Sequence, residues 1–152
     1  MNHILAVDYG LKRTGIAFAI YPILIAHPYK TVPTKELDFY LEEYIRTNTV
    51  TTILIGLPLK MNQKNTDATS LVIAFKLKLM KKYPEINVVM YDERFSSLIA
   101  KKSMIEGNYK KSDRRKKEKV DVIAATIILQ DYIRSSEIKD HQKHKSLHLS
   151  FS

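Results

Sequence analysis

The stretch His3-Ile4-Leu5-Ala6-Val7-Asp8-Tyr9-Gly10-Leu11-Lys12-Arg13-Thr14-Gly15-Ile16-Ala17-Phe18-Ala19-Ile20-Tyr21 decides the fold of this chain. Its first part, His3 to Tyr9, is an apolar run closed by Asp8-Tyr9-Gly10, and its last, Thr14 to Tyr21, is rich in β-branched and aromatic residues. Both have the make-up of strands. The residues between them, Gly10-Leu11-Lys12-Arg13, form a short turn in which glycine's tolerance of positive φ is expected to be used. The stretch therefore predicts a β-hairpin with an acid, Asp8, at the end of its first strand.

Outward from the hairpin, a third short strand is expected near His27 to Val32, bracketed by Pro28 and Pro33. Leu37, Tyr40, Leu41, Tyr44 and Ile45 then recur at helical spacing, which predicts an amphipathic helix from Thr34 to about Arg46 with Thr34 as N-cap. Thr52 to Leu57 is a short apolar strand of the kind buried on both faces of a parallel sheet, and Pro58 ends it. A polar loop, Lys60 to Asp67, leads to a helix over Ala68 to Lys82, a strand over Ile86 to Tyr91 and a helix over Ser96 to Glu106. After Gly107 comes a basic loop, then a last helix from about Glu118 to Arg134, apolar almost all round its middle and hence buried. The order βββαβαβα, closed by that helix, predicts an α/β domain with a mixed five-stranded sheet, antiparallel in the hairpin and parallel beyond it, flanked by helices.

The chain's 152 residues, 45% of them hydrophobic, suffice for one domain with a real core. The domain is expected over 1–135, with 136–152 as a basic, flexible tail. With no cysteine, disulfides, Cys-ligated zinc, iron–sulfur clusters and thiol nucleophiles are all excluded, as a reducing cytoplasm permits. No apolar run approaches the roughly 20 residues that span a bilayer, and no leader segment is read at the N-terminus. Lys and Arg outnumber Asp and Glu by 25 to 16, a formal charge of +9 that favours a polyanionic partner.

Three acids occupy unusual places: Asp8 ends the first strand, Glu93 follows the fifth, and Asp121 opens the last helix. Each has a plain structural explanation, respectively a turn cap, a solvated strand end and a residue favoured by the helix dipole. If the first and fifth strands are close neighbours, however, their ends lie together, and the helix packing back over the sheet brings its N-terminus to the same edge. Carboxylates crowded in that way persist only with a cation or with protonation. Hard oxygen donors suit Mg²⁺ or Mn²⁺, and two such ions straddling a scissile phosphate would activate water and stabilise the leaving oxygen. Zinc fits less well: there is no cysteine or HExxH spacing, and His141, His144 and His148, about a helical turn apart, sit in the tail.

Four blocks of residues carry a resemblance. Val7-Asp8-Tyr9-Gly10-Leu11-Lys12-Arg13-Thr14-Gly15-Ile16-Ala17, Gly56-Leu57-Pro58-Leu59, Tyr91-Asp92-Glu93-Arg94-Phe95-Ser96, and Lys119-Val120-Asp121 with Ala124-Ala125 and Ile127-Ile128-Leu129-Gln130 closely resemble the RuvX/YqgF family, in its order and spacing. The resemblance implies a bacterial, cytoplasmic protein of RNase H-like fold, known both as a Holliday junction resolvase and as a nuclease maturing precursor 16S ribosomal RNA. By matching positions it gives Asp8, Glu93 and Asp121 the catalytic, metal-binding roles. It also selects Glu93 over its neighbour Asp92, which strand alternation would turn to the opposite face. The chain departs from the family at Lys60-Met61-Asn62-Gln63, where a glycine is usual, at Glu118, often glycine, and at Ser96-Ser97, usually Ser-Thr.

Lys110, Lys111, Arg114, Arg115, Lys116, Lys117 and Lys119 crowd the approach to Asp121. A charge run is often only a solvated loop; beside a phosphate-cleaving site it would neutralise the backbone of a nucleic acid and steer it in. Lys12 and Arg13, in the turn beside Asp8, are candidates to hold a phosphate, Arg94 to do so or to pair with a carboxylate, and Tyr109 to stack on a base. Tyr40 and Tyr44, at i and i+4, are expected to pack in the core.

The leading reading is metal-dependent hydrolysis of nucleic-acid phosphodiesters, in precursor ribosomal RNA or branched DNA, with ribosomal particles as a further partner and a monomer or weak homodimer as the acting species. A non-catalytic RNA-binding assembly factor would gain nothing from clustered acids. An ATPase or sugar kinase sharing an Asp-x-Gly hairpin would need a second lobe.

Overall fold

A computed structural model of the chain describes residues 1–57, 67–92 and 114–150, of which 67–68, 114–117 and 137–150 are described as backbone. The expected helix over Ser96 to Glu106 and all but the last residue of the loop over Lys60 to Asp67 lie outside the described residues.

The hairpin forms as its sequence dictates. Strands β1 (Asn2–Asp8) and β2 (Arg13–Ile20) pair antiparallel, Leu5 opposite Phe18 and Asp8 opposite Gly15. Strand β3 (Ile23–Pro33) follows the turn at Tyr21-Pro22 and is longer than expected, running through Pro28. It can do so because it lies at the edge of the sheet, where a residue without an N–H need not break a ladder on both sides.

Thr34 does not cap a helix. Thr34–Glu36 form a 3₁₀ turn and α1 (Leu37–Thr47) begins at Leu37, with no side-chain cap. The Thr34 hydroxyl instead donates to the carbonyl of Gly10 at 2.6 Å and meets Thr14 Oγ1 at 2.9 Å, so it is spent on the hairpin turn.

Strand β4 (Thr49–Gly56) starts before the apolar run and pairs parallel to β1. Helix α2 (Asp67–Lys82) crosses back to β5 (Asn87–Tyr91), parallel to β4. The sheet order is β3-β2-β1-β4-β5. The first and fifth strands are thus not direct neighbours, because β4 pairs with β1 on one side and with β5 on the other.

Alternation along the strands builds two cores. Leu5, Val7, Ile16, Ile53 and Ile55 pack against Leu37, Leu41 and Tyr44 of α1 and Val72, Phe75 and Leu79 of α2. On the other face Ala6, Ala17, Ala19 and Leu54 meet Ala124, Ala125, Ile128, Leu129 and Ile133 of α3 (Arg114–Ser150). Three alanines on that face let the helix sit close to the sheet. The layers are helices, sheet and helix, with the expected mixed sheet between them.

Helix α3 begins four residues before Glu118 and runs well past Arg134. The segment expected to be irregular is helical through Ser150: between Arg114 and Ser150 there is neither glycine nor proline to stop it. No described helix is long and apolar enough to cross a membrane.

Candidate active site

Asp8 is the last residue of β1 and points to the α3 side of the sheet, in alternation with Ala6. It is only 6% exposed, and it shares the buried interior with one other polar residue among those described, Thr14. The pairing registers place Thr31, Gly15, Asp8, Gly56 and Tyr91 in one row across all five strands. Two strand spacings separate Asp8 from Tyr91, about 10 Å. The row, rather than adjacency of β1 and β5, is what brings the strand ends to a common edge.

Asp121 comes to the same edge from the helix. A Cβ built on Gly15 would collide with the carbonyl oxygen of Asp121 and stand 2.8 Å from the amide nitrogen of Val122. The α3 backbone therefore rests directly on Gly15, the cross-strand partner of Asp8, and Asp8 and Asp121 flank one residue. Because α3 starts at Arg114, Asp121 lies about two turns inside it, beyond the first turn where the helix dipole would reward a carboxylate. The dipole does not account for its presence.

Arg13, the first residue of β2, donates from Nε to Oδ2 of Asp121 at 3.0 Å, with side chains 33% and 19% exposed. This joins the hairpin turn to the helix. The turn itself is fixed from below. The Thr34 amide donates to the carbonyl of Lys12 at 3.0 Å, and Thr31 Oγ1 donates to the carbonyl of Glu118 at 2.5 Å, tying β3 to α3.

No glycine among the described residues has a positive φ, so Gly10 is not needed for the reason its sequence context suggests. What requires it is space: a Cβ there would collide with the carbonyl oxygen of Arg13. A tight turn that folds back on itself leaves no room for a side chain.

Of the other predicted site residues, Lys12 and Lys119 are exposed. Arg114, Arg115, Lys116 and Lys117 lie in the first turn and a little beyond in α3, described as backbone. Glu93, Arg94, Tyr109, Lys110 and Lys111 lie outside the described residues. Among the described residues no group of three His, Cys, Asp or Glu side chains gathers; two of the three expected acids are brought together. Tyr40 and Tyr44 pack with the α1–α2 core, as expected.

Sequence reasoning missed the Arg13–Asp121 pair, the service of Thr34 to the turn, and Gly15 as the helix seat. The last had a visible signal: three of the chain's four glycines fall within the motif blocks.

Two carboxylates, one buried and one half-buried beside a guanidinium, supply hard oxygen donors at a shared edge. That donor chemistry fits Mg²⁺ or Mn²⁺ and disfavours softer ions. Nearby, the Tyr9 phenol is held above its ordinary value, first by burial and then by the charge of Asp38, so it stays neutral.

Comparison with known proteins agrees with this fold. The chain superposes on a solved structure titled "T. thermophilus RuvC in complex with Holliday junction substrate" with a TM-score of 0.56, covering 89% of this chain and 96% of that one at 13% identity. The fold is RNase H-like. The profile described as "RuvX: Holliday junction resolvase" matches residues 2–135. A protein of Phocaeicola vulgatus named "Putative pre-16S rRNA nuclease" is 42% identical over 137 residues, 90% of this chain and 99% of that protein. One of the same name from Bacteroides thetaiotaomicron is 44% identical over 135 residues, 89% and 98% of the two chains. This chain belongs to the RuvX family, a family of nucleases, hydrolases acting on ester bonds.

Proposed function

We propose that this protein is a divalent-metal-dependent nuclease that hydrolyses phosphodiesters of precursor 16S ribosomal RNA, with Asp8, Glu93 and Asp121 as its metal-holding catalytic carboxylates. The observation that carries the reading is the meeting of Asp8 and Asp121 on either side of Gly15. The helix dipole does not explain Asp121, and a buried strand-end acid beside a mid-helix acid supplies the hard oxygen donors that suit a divalent cation. Glu93 is taken as the third acid because Tyr91-Asp92-Glu93-Arg94 resembles the family's motif, within the residues that the family match covers.

Bound Mg²⁺ or Mn²⁺ would supply the Lewis acidity and activated water that phosphodiester hydrolysis needs, and two ions are the favoured number. The residues of the chain do the rest. Asp8, on a strand core-packed on both faces, and Asp121, on a helix seated on the sheet, are mounted on rigid elements that hold their carboxylates in place. Lys12 and Lys119, with Arg94, Lys110, Lys111, Arg114, Arg115 and Lys117, form the proposed phosphate-binding surface.

Cations at the start of α3 support that assignment, because no acid stands in its first turn and positive charge there opposes the helix dipole. A negative backbone lying across the helix start would relieve this conflict. Residues 1–135 would form the nuclease domain, 136–152 a basic appendage, and the setting would be the cytoplasm, on free RNA or on ribosomal particles.

The names of the relatives favour ribosomal RNA; the description of the family favours a four-way DNA junction. The two substrates differ in what they demand, since paired junction cuts require a homodimer and RNA trimming does not. Purified protein with Mg²⁺ or Mn²⁺, offered precursor 16S RNA fragments and four-way junctions side by side, should cut the RNA to 5′-phosphate and 3′-hydroxyl ends. Cutting of junctions alone would replace the RNA assignment, and equal cutting by Asp8→Asn would remove the site assignment.

A further inference from the structure

Arg13 stands in the turn where a nuclease would place a hand for phosphate, yet its Nε donates to Asp121 Oδ2 at 3.0 Å. The pair spans 108 positions of sequence and joins β2 to α3. Other ion pairs among the described residues, Arg46–Glu43, Lys78–Asp38 and Lys82–Glu42, have side chains 42–65% exposed. Those of Arg13 and Asp121 are 33% and 19% exposed, so solvent screens this pair less.

The mount is also firm. Arg13 pairs with Pro33 in the sheet, its carbonyl fills the space above Gly10, and the neighbouring Lys12 carbonyl accepts from the Thr34 amide. A guanidinium is charged at every working pH and, unlike an ammonium, holds its donors in a fixed plane.

We infer that Arg13 is the resident counter-ion of the acidic site, a positioning residue that neutralises and orients Asp121 before the metal arrives, rather than a phosphate-binding hand. The inference rests on the reading that Asp8 and Asp121 hold a cation. Like charges flanking Gly15 repel, and Asp8 is too buried for water to screen it well. Arg13 offsets that repulsion, and by the same charge it opposes an incoming cation. The metal therefore binds less tightly than two bare carboxylates would allow, to a site already in shape. Exposed Lys12, one residue away, is left as the phosphate contact.

The test begins without metal. In a chelating buffer, thermal unfolding is compared for wild type, Arg13→Gln, Asp121→Asn and the double variant. Arg13→Gln should lower the Tm by about 2–4 °C, and adding Asp121→Asn should restore most of the loss, because the carboxylate that Arg13 held is then gone. No loss in Arg13→Gln, or no restoration by Asp121→Asn, overturns the inference.

Titration calorimetry with Mn²⁺ alone gives the second readout. Arg13→Gln should bind Mn²⁺ more tightly, on the order of tenfold, while Arg13→Lys, which keeps the charge, should stay near wild type. Unchanged Mn²⁺ affinity with weakened RNA binding would make Arg13 a phosphate hand after all. If wild type takes up no Mn²⁺, the metal reading fails separately, and the unfolding comparison still decides the role of Arg13.

Discussion

Gly15 and Asp121 are in backbone contact: the helix carbonyl of Asp121 occupies the space a side chain on Gly15 would need. Because Gly15 pairs directly with Asp8, this one contact sets how far the acid of the helix stands from the acid of the strand.

Gly15→Ala should therefore lift α3 off the sheet at its acidic turn. Overpacking against backbone costs about 3 kcal/mol, at the upper end of such substitutions, and the atoms in the way belong to a helix that cannot yield locally. A fall in Tm with loss of Mn²⁺ binding is the expected result. An alanine variant with wild-type Tm and metal affinity would show that the helix seat is not what sets the site.

Asp8→Asn keeps the shape of the side chain and removes its charge. Cleavage should fall by at least about 100-fold, the upper range of what outer-shell substitutions alone cost at metal sites. In chelator, Tm should stay close to that of wild type, since asparagine keeps the shape and one accepting oxygen of the side chain. Loss of activity with gross unfolding would point instead to a structural role.

The Thr34 hydroxyl meets both Gly10 and Thr14, so Thr34→Val should destabilise the protein by about 1–2 kcal/mol. Denaturant unfolding measures this, and a cost below about 0.5 kcal/mol would show that water replaces the hydroxyl without loss.

At the opposite end of β1, His3 Nδ1 lies 2.7 Å from the Tyr44 hydroxyl. Burial, and then the terminal ammonium, hold His3 below its ordinary 6.5, while burial and then Tyr29 push Tyr44 up to about 12. Below pH 6.5 the unfolded chain takes up the His3 proton before the folded one does, so stability should decline as pH falls through that region. The Tyr44 contribution is present below its unfolded value near 10.0 and is lost as pH rises from there through about 12. His3→Gln should flatten the acid limb in urea midpoints taken from about pH 7 to pH 5; an unchanged slope would assign that limb to other groups.

RNA affinity should fall steeply with salt, and Lys12→Glu and Lys119→Glu should each reduce the slope of log K against log salt by about 1. Filter binding across a salt series provides the measurement. An unaltered slope would take that lysine off the proposed RNA path.

The hairpin, the two parallel strands and the core faces were legible because alternation and apolar runs are local. Strand order was not: nothing in residues 52–57 says that β4 enters between β1 and β5. Helix α3 was placed by a middle that is apolar almost all round, but its ends were not, since charged helix formers such as Arg114 to Lys117 continue a helix without marking it. Asp8 and Asp121 could be named as candidates from position alone, and their meeting at Gly15 follows from tertiary packing. The Arg13 pair could not be read, because a basic residue near a predicted site suggests substrate before it suggests a partner 108 positions away.

In the row across the sheet Asp8 stands between Gly15 and Gly56. Its two neighbours on that face are thus the two strand residues that carry no side chain at all. Glycine in a strand carries an intrinsic cost of about 0.5–1 kcal/mol relative to alanine, which at Gly15 is outweighed by the close approach of the Asp121 carbonyl. The arrangement works by omission: no neighbouring strand residue in that row can shield or crowd the acid. What may approach Asp8 is left to the elements laid over the sheet, so the chemistry of the site can be altered by moving a helix or a loop without redesigning a strand.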